Sequence, residues 1–170
     1  MAVVMVPTGW HRRSQEDWHS TAGTPVPFSK YGQLTHDQLR WLTYAFPDGA
    51  ACFWARSKYD DMPQPRDQAW FHMDGFVIGI GEVRAAFDNP DLAGVLWQDF
   101  IPTEKEKGLP TTPAGWRYIF AFEKPRPSVI DKRAINQIVG FKPGNRWQGT
   151  HRLSEDQSTA LQSRLVWTIR

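Results

Sequence analysis

The side chains in this sequence that could do chemistry are five histidines, several aspartates, a scatter of lysines and arginines, and an unusual number of tryptophans. His11, His19, His36, His72 and His151 stand at spacings that match no metal-binding motif, so most of them are expected on the surface. Asp60, Asp61, Asp67 and Asp74 could supply a carboxylate pair for acid–base work, yet each lies in a polar turn region where aspartate is favoured for local hydrogen bonding. No Gly-x-x-x-x-Gly-Lys-Ser/Thr, Gly-x-Ser-x-Gly or His-Glu-x-x-His signature is present, and Gly79-Ile-Gly-Glu-Val lacks the third glycine of a dinucleotide loop. The expectation is a protein that binds rather than catalyses, without cofactor or metal.

Nine tryptophans in 170 residues are more than one core needs. Most must be structural, because the indole buries a large area and dominates packing. The remainder can line a pocket. Trp97 is the foremost candidate, since it falls in the long connection Phe87 to Pro113, rich in proline, glycine and charge, with no periodic reason to be buried. Charge is the second signal. The net charge of +2 is weak, but Glu123 to Arg152 carries Lys124, Arg126, Lys132, Arg133, Lys142, Arg146 and Arg152 against Glu123 and Asp131. Such a segment is either an ordinary solvated face or a modest nucleic-acid footprint.

The elements that must position these residues can be read from pattern. The length suits one domain, and 41% hydrophobic with 22% charged residues is a globular composition. No run is long enough to cross a membrane, Met1 to Pro7 is too short and uncharged for a secretory signal, and Cys52 as the only cysteine excludes an internal disulfide. The expected compartment is the cytoplasm. Residues 1–33 have no sustained period and read as an irregular arm before a domain at 34–170. Thr35 is a plausible N-cap for a short helix ending at Pro47. Strands are expected over Ala51 to Arg56, Ala69 to Met73, Phe76 to Val83 and Trp116 to Phe122, with Asp74-Gly75 as a hairpin turn and Gly79 and Gly81 marking a bend or close approach. Ser128 to Val139 suits a short helix or turn, and Ser154 with Gln157 forms a capping box for a closing helix.

Several of these segments are similar, in order, to the motifs of one superfamily. Cys52-Phe-Trp-Ala-Arg-Ser-Lys-Tyr-Asp-Asp resembles a first strand and the polar turn that touches a bound base. Phe76-Val-Ile-Gly-Ile-Gly-Glu-Val with Phe87-Asp-Asn-Pro-Asp resembles a Gly-Val/Ile-Ala-Glu strand followed by an aspartate-rich turn. Gly94-Val-Leu-Trp-Gln-Asp-Phe stands at a tryptophan-bearing loop, Trp116-Arg-Tyr-Ile-Phe at a Trp-Ile-Phe strand, and Asn136 with Lys142-Pro through Arg152-Leu-Ser at an ending that contacts phosphates. Over Ala51 to Leu165 the chain thus resembles the PUA-like superfamily, and within it the YTH and EVE modules that bind modified bases. The early Gly-Asp pair of EVE modules is missing, and the first 33 residues match neither pattern.

The resemblance implies an α+β fold, a twisted, mostly antiparallel β-barrel with flanking helices, that holds a methylated base of DNA or RNA flipped into an aromatic cage. Trp97, Trp54, Trp70 and Trp116 would form the cage, Ser57, Tyr59 and Asp99 its polar rim, and Lys58, Lys142, Arg146 and Arg152 the phosphate contacts. It also implies a reader of the kind found in modification-dependent restriction, with any nuclease on a fused or associated segment. Two alternatives stay open. An RNA-processing hydrolase of the related ASCH group would need Lys58 or Lys142 beside Glu82, and a small-molecule or protein-interaction domain would use the aromatic surface without nucleic acid.

Overall fold

The computed structural model describes residues 1–9, 12–56, 59–97, 116–147 and 149–165. Its backbone is a mixed α+β arrangement. In chain order these are β1 (Val3–Pro7), α1 (Arg12–Asp17), a π-helical turn (Trp18–Ala22), β2 (Val26–Pro27), a 3-10 turn (Phe28–Lys30), α2 (His36–Ala45), β3 (Ala50–Arg56), β4 (Gln68–Met73) and β5 (Phe76–Asp88). There follow α3 (Pro90–Leu96), β6 (Tyr118–Phe122), β7 (Arg126–Asp131), α4 (Lys132–Ile138), β8 (His151–Arg152) and α5 (Glu155–Leu165).

The strands form one sheet in the order β2-β3-β6-β5-β4-β1-β8, with β7 attached to β5 beside β6. All pairings are antiparallel except β1 with β4. The path is open at β2 and β8, and it curls because β5 serves both halves. Its first part pairs with β4 and β7, its second with β6, and bulges fall near Val77/Gly79 and Val83/Ala85. Gly79 and Gly81 permit this bend. A Cβ on Gly81 would lie 2.9 Å from the Phe122 ring, and one on Gly79 3.1 Å from Pro125 Cβ.

Inside the curl lies a core of Val4, Val6, Trp18, Cys52, Trp54, Phe71, Val83, Phe120 and Phe122, with Ala22, Met62 and Ala69 filling it. Burial pushes the Cys52 thiol up to about 12, so it is an inert apolar filler. On one outer face α2 and α3 cover Phe53, Ala55, Ala85 and Ile119, and on the other α4 and α5 cover Val3, Met5, Trp70, Val77 and Ile80. Helices α2 and α5 begin at capping boxes. Thr35 and Gln38 exchange capping-box hydrogen bonds at 3.2 and 3.1 Å, and Ser154 and Gln157 do the same before α5. Asp74 and Gly75, with φ of 46° and 85°, turn β4 into β5.

The start of the chain differs from the irregular arm expected of it. Val3, Val4, Met5 and Val6 have no exposed surface, because β1 is an inner strand between β4 and β8 with apolar layers on both faces. A strand buried on both sides is a continuous apolar run without alternation, which is why period-seeking missed it. No described helix is long and apolar enough to cross a membrane.

Candidate nucleic-acid interface

Three of the predicted tryptophans meet. Trp54 projects from β3, Trp97 caps α3, and Trp116 precedes β6. Their ring centroids are 6.3 Å apart for Trp54–Trp97, 6.0 Å for Trp54–Trp116 and 6.1 Å for Trp97–Trp116, with edge-to-face or tilted planes. Trp18 extends the group at 6.2 Å from Trp54. Trp116 packs against both the inner core and the α2–α3 core while staying partly exposed, so it is the member a ligand can reach first.

Trp97 itself is not in a free loop. The segment expected to be one long connection contains the end of β5 and all of α3, and Trp97 ends that helix with only 2% of its surface exposed. Asn89 caps α3 by accepting from Leu92 N at 2.8 Å, fixing where the helix that ends at Trp97 begins. The indole Nε1 of Trp97 is buried without a hydrogen-bond partner among the described residues. Trp70 is placed elsewhere. It faces the α4–α5 layer, and its Nε1 donates to Gln68 Oε1 at 3.2 Å. Successive residues of β4 point to opposite faces, and Trp70 falls on the outer one.

The rim next to this cluster holds Tyr59, 62% exposed, whose ring meets Tyr118 at 5.6 Å. Arg56, paired across the sheet with Tyr118, donates to the carbonyl of Asp60 and so ties the turn to the strand. Arg117 grips Asp88 through two hydrogen bonds of 2.6 and 2.5 Å and lies 5.7 Å from the Tyr118 ring. Tyr118 and Arg56 were not singled out from sequence, although alternation along β6 places Tyr118 on the same face as Trp116. Ser57, Lys58 and Asp99 lie outside the described residues.

The basic residues divide. Lys142 and Arg146 are exposed in the turn that follows α4. That turn is braced from within: Asn136, 1% exposed, donates its amide to Pro143 O at 3.1 Å and Asn145 O at 3.0 Å, while Phe141 N donates to Asn136 O at 2.7 Å. Arg152 is engaged differently, for its Nη2 donates to Asp67 Oδ2 at 2.5 Å. Glu82 is exposed on β5 and makes no ion pair with Lys142. His72 departs from the surface histidines expected, being 5% exposed, and burial lowers its pKa to about 3. Among the described residues no three metal-ligating side chains converge. An open groove of about 810 Å³ between Gly32–Thr35 and α3 contains none of the predicted residues.

No protein family and no curated protein matches the sequence. Among solved structures, the N-terminal domain of Thermococcus gammatolerans McrB, bound to m5C DNA, superimposes with a TM-score of 0.71 over 100% of both chains at 16% identity. The fold is PUA-like. At that identity the likeness is one of fold, and it extends through the first 33 residues as well as the segments that carry the motifs. An ASCH protein from Zymomonas mobilis is more distant, with a TM-score of 0.47, 14% identity and coverage of 95% and 94%.

Proposed function

We propose that this chain is a DNA-binding module that reads a methylated base, with 5-methylcytosine the foremost candidate. The observation that carries the reading is the packed group of Trp54, Trp97 and Trp116 in a PUA-like fold, with Trp116 partly exposed and Tyr59 exposed. The same fold in the McrB domain was solved on m5C DNA, which supports the choice of ligand.

A base turned out of the duplex loses stacking on its neighbours, and an aromatic face restores roughly 1–3 kcal/mol of it. Trp116 and Tyr59 supply such faces, while Trp54 and Trp97 hold Trp116 in place from behind. Lys142 and Arg146 contribute phosphate contacts, which add affinity without sequence information. Chemistry on the marked DNA is assigned to a nuclease on another segment or chain.

The direct test is fluorescence anisotropy with duplexes that differ only in one methyl group. Burial of that methyl contributes about 0.8 kcal/mol, so the methylated duplex should bind about fourfold more tightly before any gain from shape. Equal affinities for the two duplexes would remove the reading.

A further inference from the structure

Residues 59–67, between β3 and β4, form two consecutive turns. Met62 N donates to Tyr59 O at 3.0 Å and closes the first, while Asp67 N donates to Gln64 O at 2.9 Å and closes the second. Pro65 and Arg66 hold the two central positions of the second turn, and Arg66 has a φ of 79°. A positive φ at the second central position, after proline, is what a type II turn requires. Glycine or asparagine ordinarily fills that place, because a larger side chain crowds its own backbone there. Asp61, with φ of 58° in the first turn, is a short polar residue that visits this region more readily. An arginine does not.

The surrounding structure holds Arg66 in this conformation from both sides. Its N–H donates to Val83 O at 2.8 Å and Val83 N donates to Asp67 O at 2.9 Å, so the turn is sewn to β5. The Asp67 carboxylate accepts from Gln64 N at 2.8 Å and clamps the start of the turn. All of these are backbone or Asp67 bonds, and a glycine at position 66 would keep every one of them without crowding. The arginine side chain is exposed and makes no ion pair among the described residues. The carboxylates nearby in the pairing are engaged elsewhere or stand apart. Asp67 takes Arg152, Glu123 takes Arg84 at 2.7 Å, and Glu82, opposite Gln68, forms no ion pair with Arg66. A strained backbone position filled by a free charged side chain points to something that the side chain meets outside the protein.

We propose that Arg66 is a phosphate contact for bound DNA, displayed on a rigid turn in the same loop as Tyr59. This rests on the reading of the chain as a DNA-binding module. Tyr59 opens the first turn and Arg66 crests the second, with Met62 and Pro63 buried between them as a shared anchor. The seven residues from Tyr59 to Arg66 span at most about 25 Å even when extended, and a DNA strand advances about 3.4 Å per nucleotide. A strand that meets Tyr59 therefore passes Arg66 within about seven nucleotides. The planar guanidinium matches two phosphate oxygens at once, and a backbone already fixed leaves less freedom to lose on binding. Through Asp67 and Arg152 the same turn is tied to β8, which ends the segment that carries Lys142 and Arg146.

Arg66→Gly removes the charge and the crowding together, so stability and affinity should part company. The midpoint of urea unfolding is expected to hold or rise. Binding per folded molecule should weaken about eightfold at about 0.1 M salt, equally for methylated and unmodified duplexes, and the slope of log K against log salt should fall by about one unit. Arg66→Lys keeps the charge on the same backbone and should restore the slope. Lys30→Gln makes the same change in net charge on the turn whose Phe28 packs in the α2–α3 core, and should leave the slope as it is. A slope unchanged in Arg66→Gly, or lowered as much by Lys30→Gln, overturns the contact. A lower midpoint with unchanged binding overturns it too, and makes Arg66 a residue of the fold. A parent that binds both duplexes equally removes the methyl reading but leaves the Arg66 result standing, whereas a parent that binds neither removes both.

Discussion

Arg152 reaches from β8 to Asp67, a carboxylate with only 8% of its side chain exposed, and donates to its Oδ2 at 2.5 Å. The same carboxylate accepts from Ala2 N at 3.1 Å and Gln64 N at 2.8 Å, so one side chain ties the chain start, the turn before β4 and β8 together. Removing Arg152 leaves that buried charge with two neutral donors only. Arg152→Gln is therefore expected to lower stability by about 2–3 kcal/mol in denaturant unfolding. Its effect on DNA affinity per folded molecule should be small. A large drop in the salt dependence of binding with unchanged stability would instead make Arg152 a phosphate contact.

Trp97 and Trp116 should separate in the same pair of assays. Truncating the buried Trp97 to alanine opens a cavity among Trp54, Trp116 and the α2–α3 core, a loss of roughly 3–5 kcal/mol in stability. Trp116→Ala removes a partly exposed ring, so its main effect is expected on affinity, about five- to 150-fold. If Trp116→Ala binds methylated DNA as the parent does, stacking on this ring plays no part.

The reach of the sequence can be judged on particular residues. Thr35-x-x-Gln38, Asp74-Gly75 and Ser154-x-x-Gln157 are local devices, each complete within a few residues, and each was legible as the cap or turn it forms. The three central strands were legible because aromatic and β-branched residues mark them. Which face each tryptophan takes was not. Trp70 and Trp54 read alike in sequence, and their opposite fates depend on strand phase relative to a curl that exists only once β5 bends. Trp97 misled for a related reason, since α3 is only seven residues long and contains Gly94, too little pattern for a helix to be read. Long-range partners such as Asp67 with Arg152, 85 residues apart, leave no local trace.

Lys142 and Arg146 are expected to act through charge alone. Neutralising either should weaken binding equally for methylated and unmethylated duplexes and reduce the slope of log K against log salt by about one unit. Asn136→Ala offers a companion measurement, because it keeps both charges while removing the brace beneath their turn. It should weaken binding in the parent but add little once Lys142 and Arg146 are already neutral. Additive losses in that double-mutant comparison would show that the brace does not serve the turn.

His72 gives the fold an acid-sensitive point. In the folded chain burial, reinforced by Lys132 and His151, lowers its pKa to about 3 from an ordinary value of 6.5. Between those values the unfolded chain binds a proton that the folded chain does not, so stability rises with pH across this window and falls on acidification. Above it the contribution no longer changes. The slope from this one group approaches about 1.4 kcal/mol per pH unit in the middle of the window. His72→Gln, which cannot take the proton, should flatten the acid limb by that amount in urea unfolding between about pH 4 and pH 6.5. Identical limbs in the two proteins would mean that the ring is not held neutral.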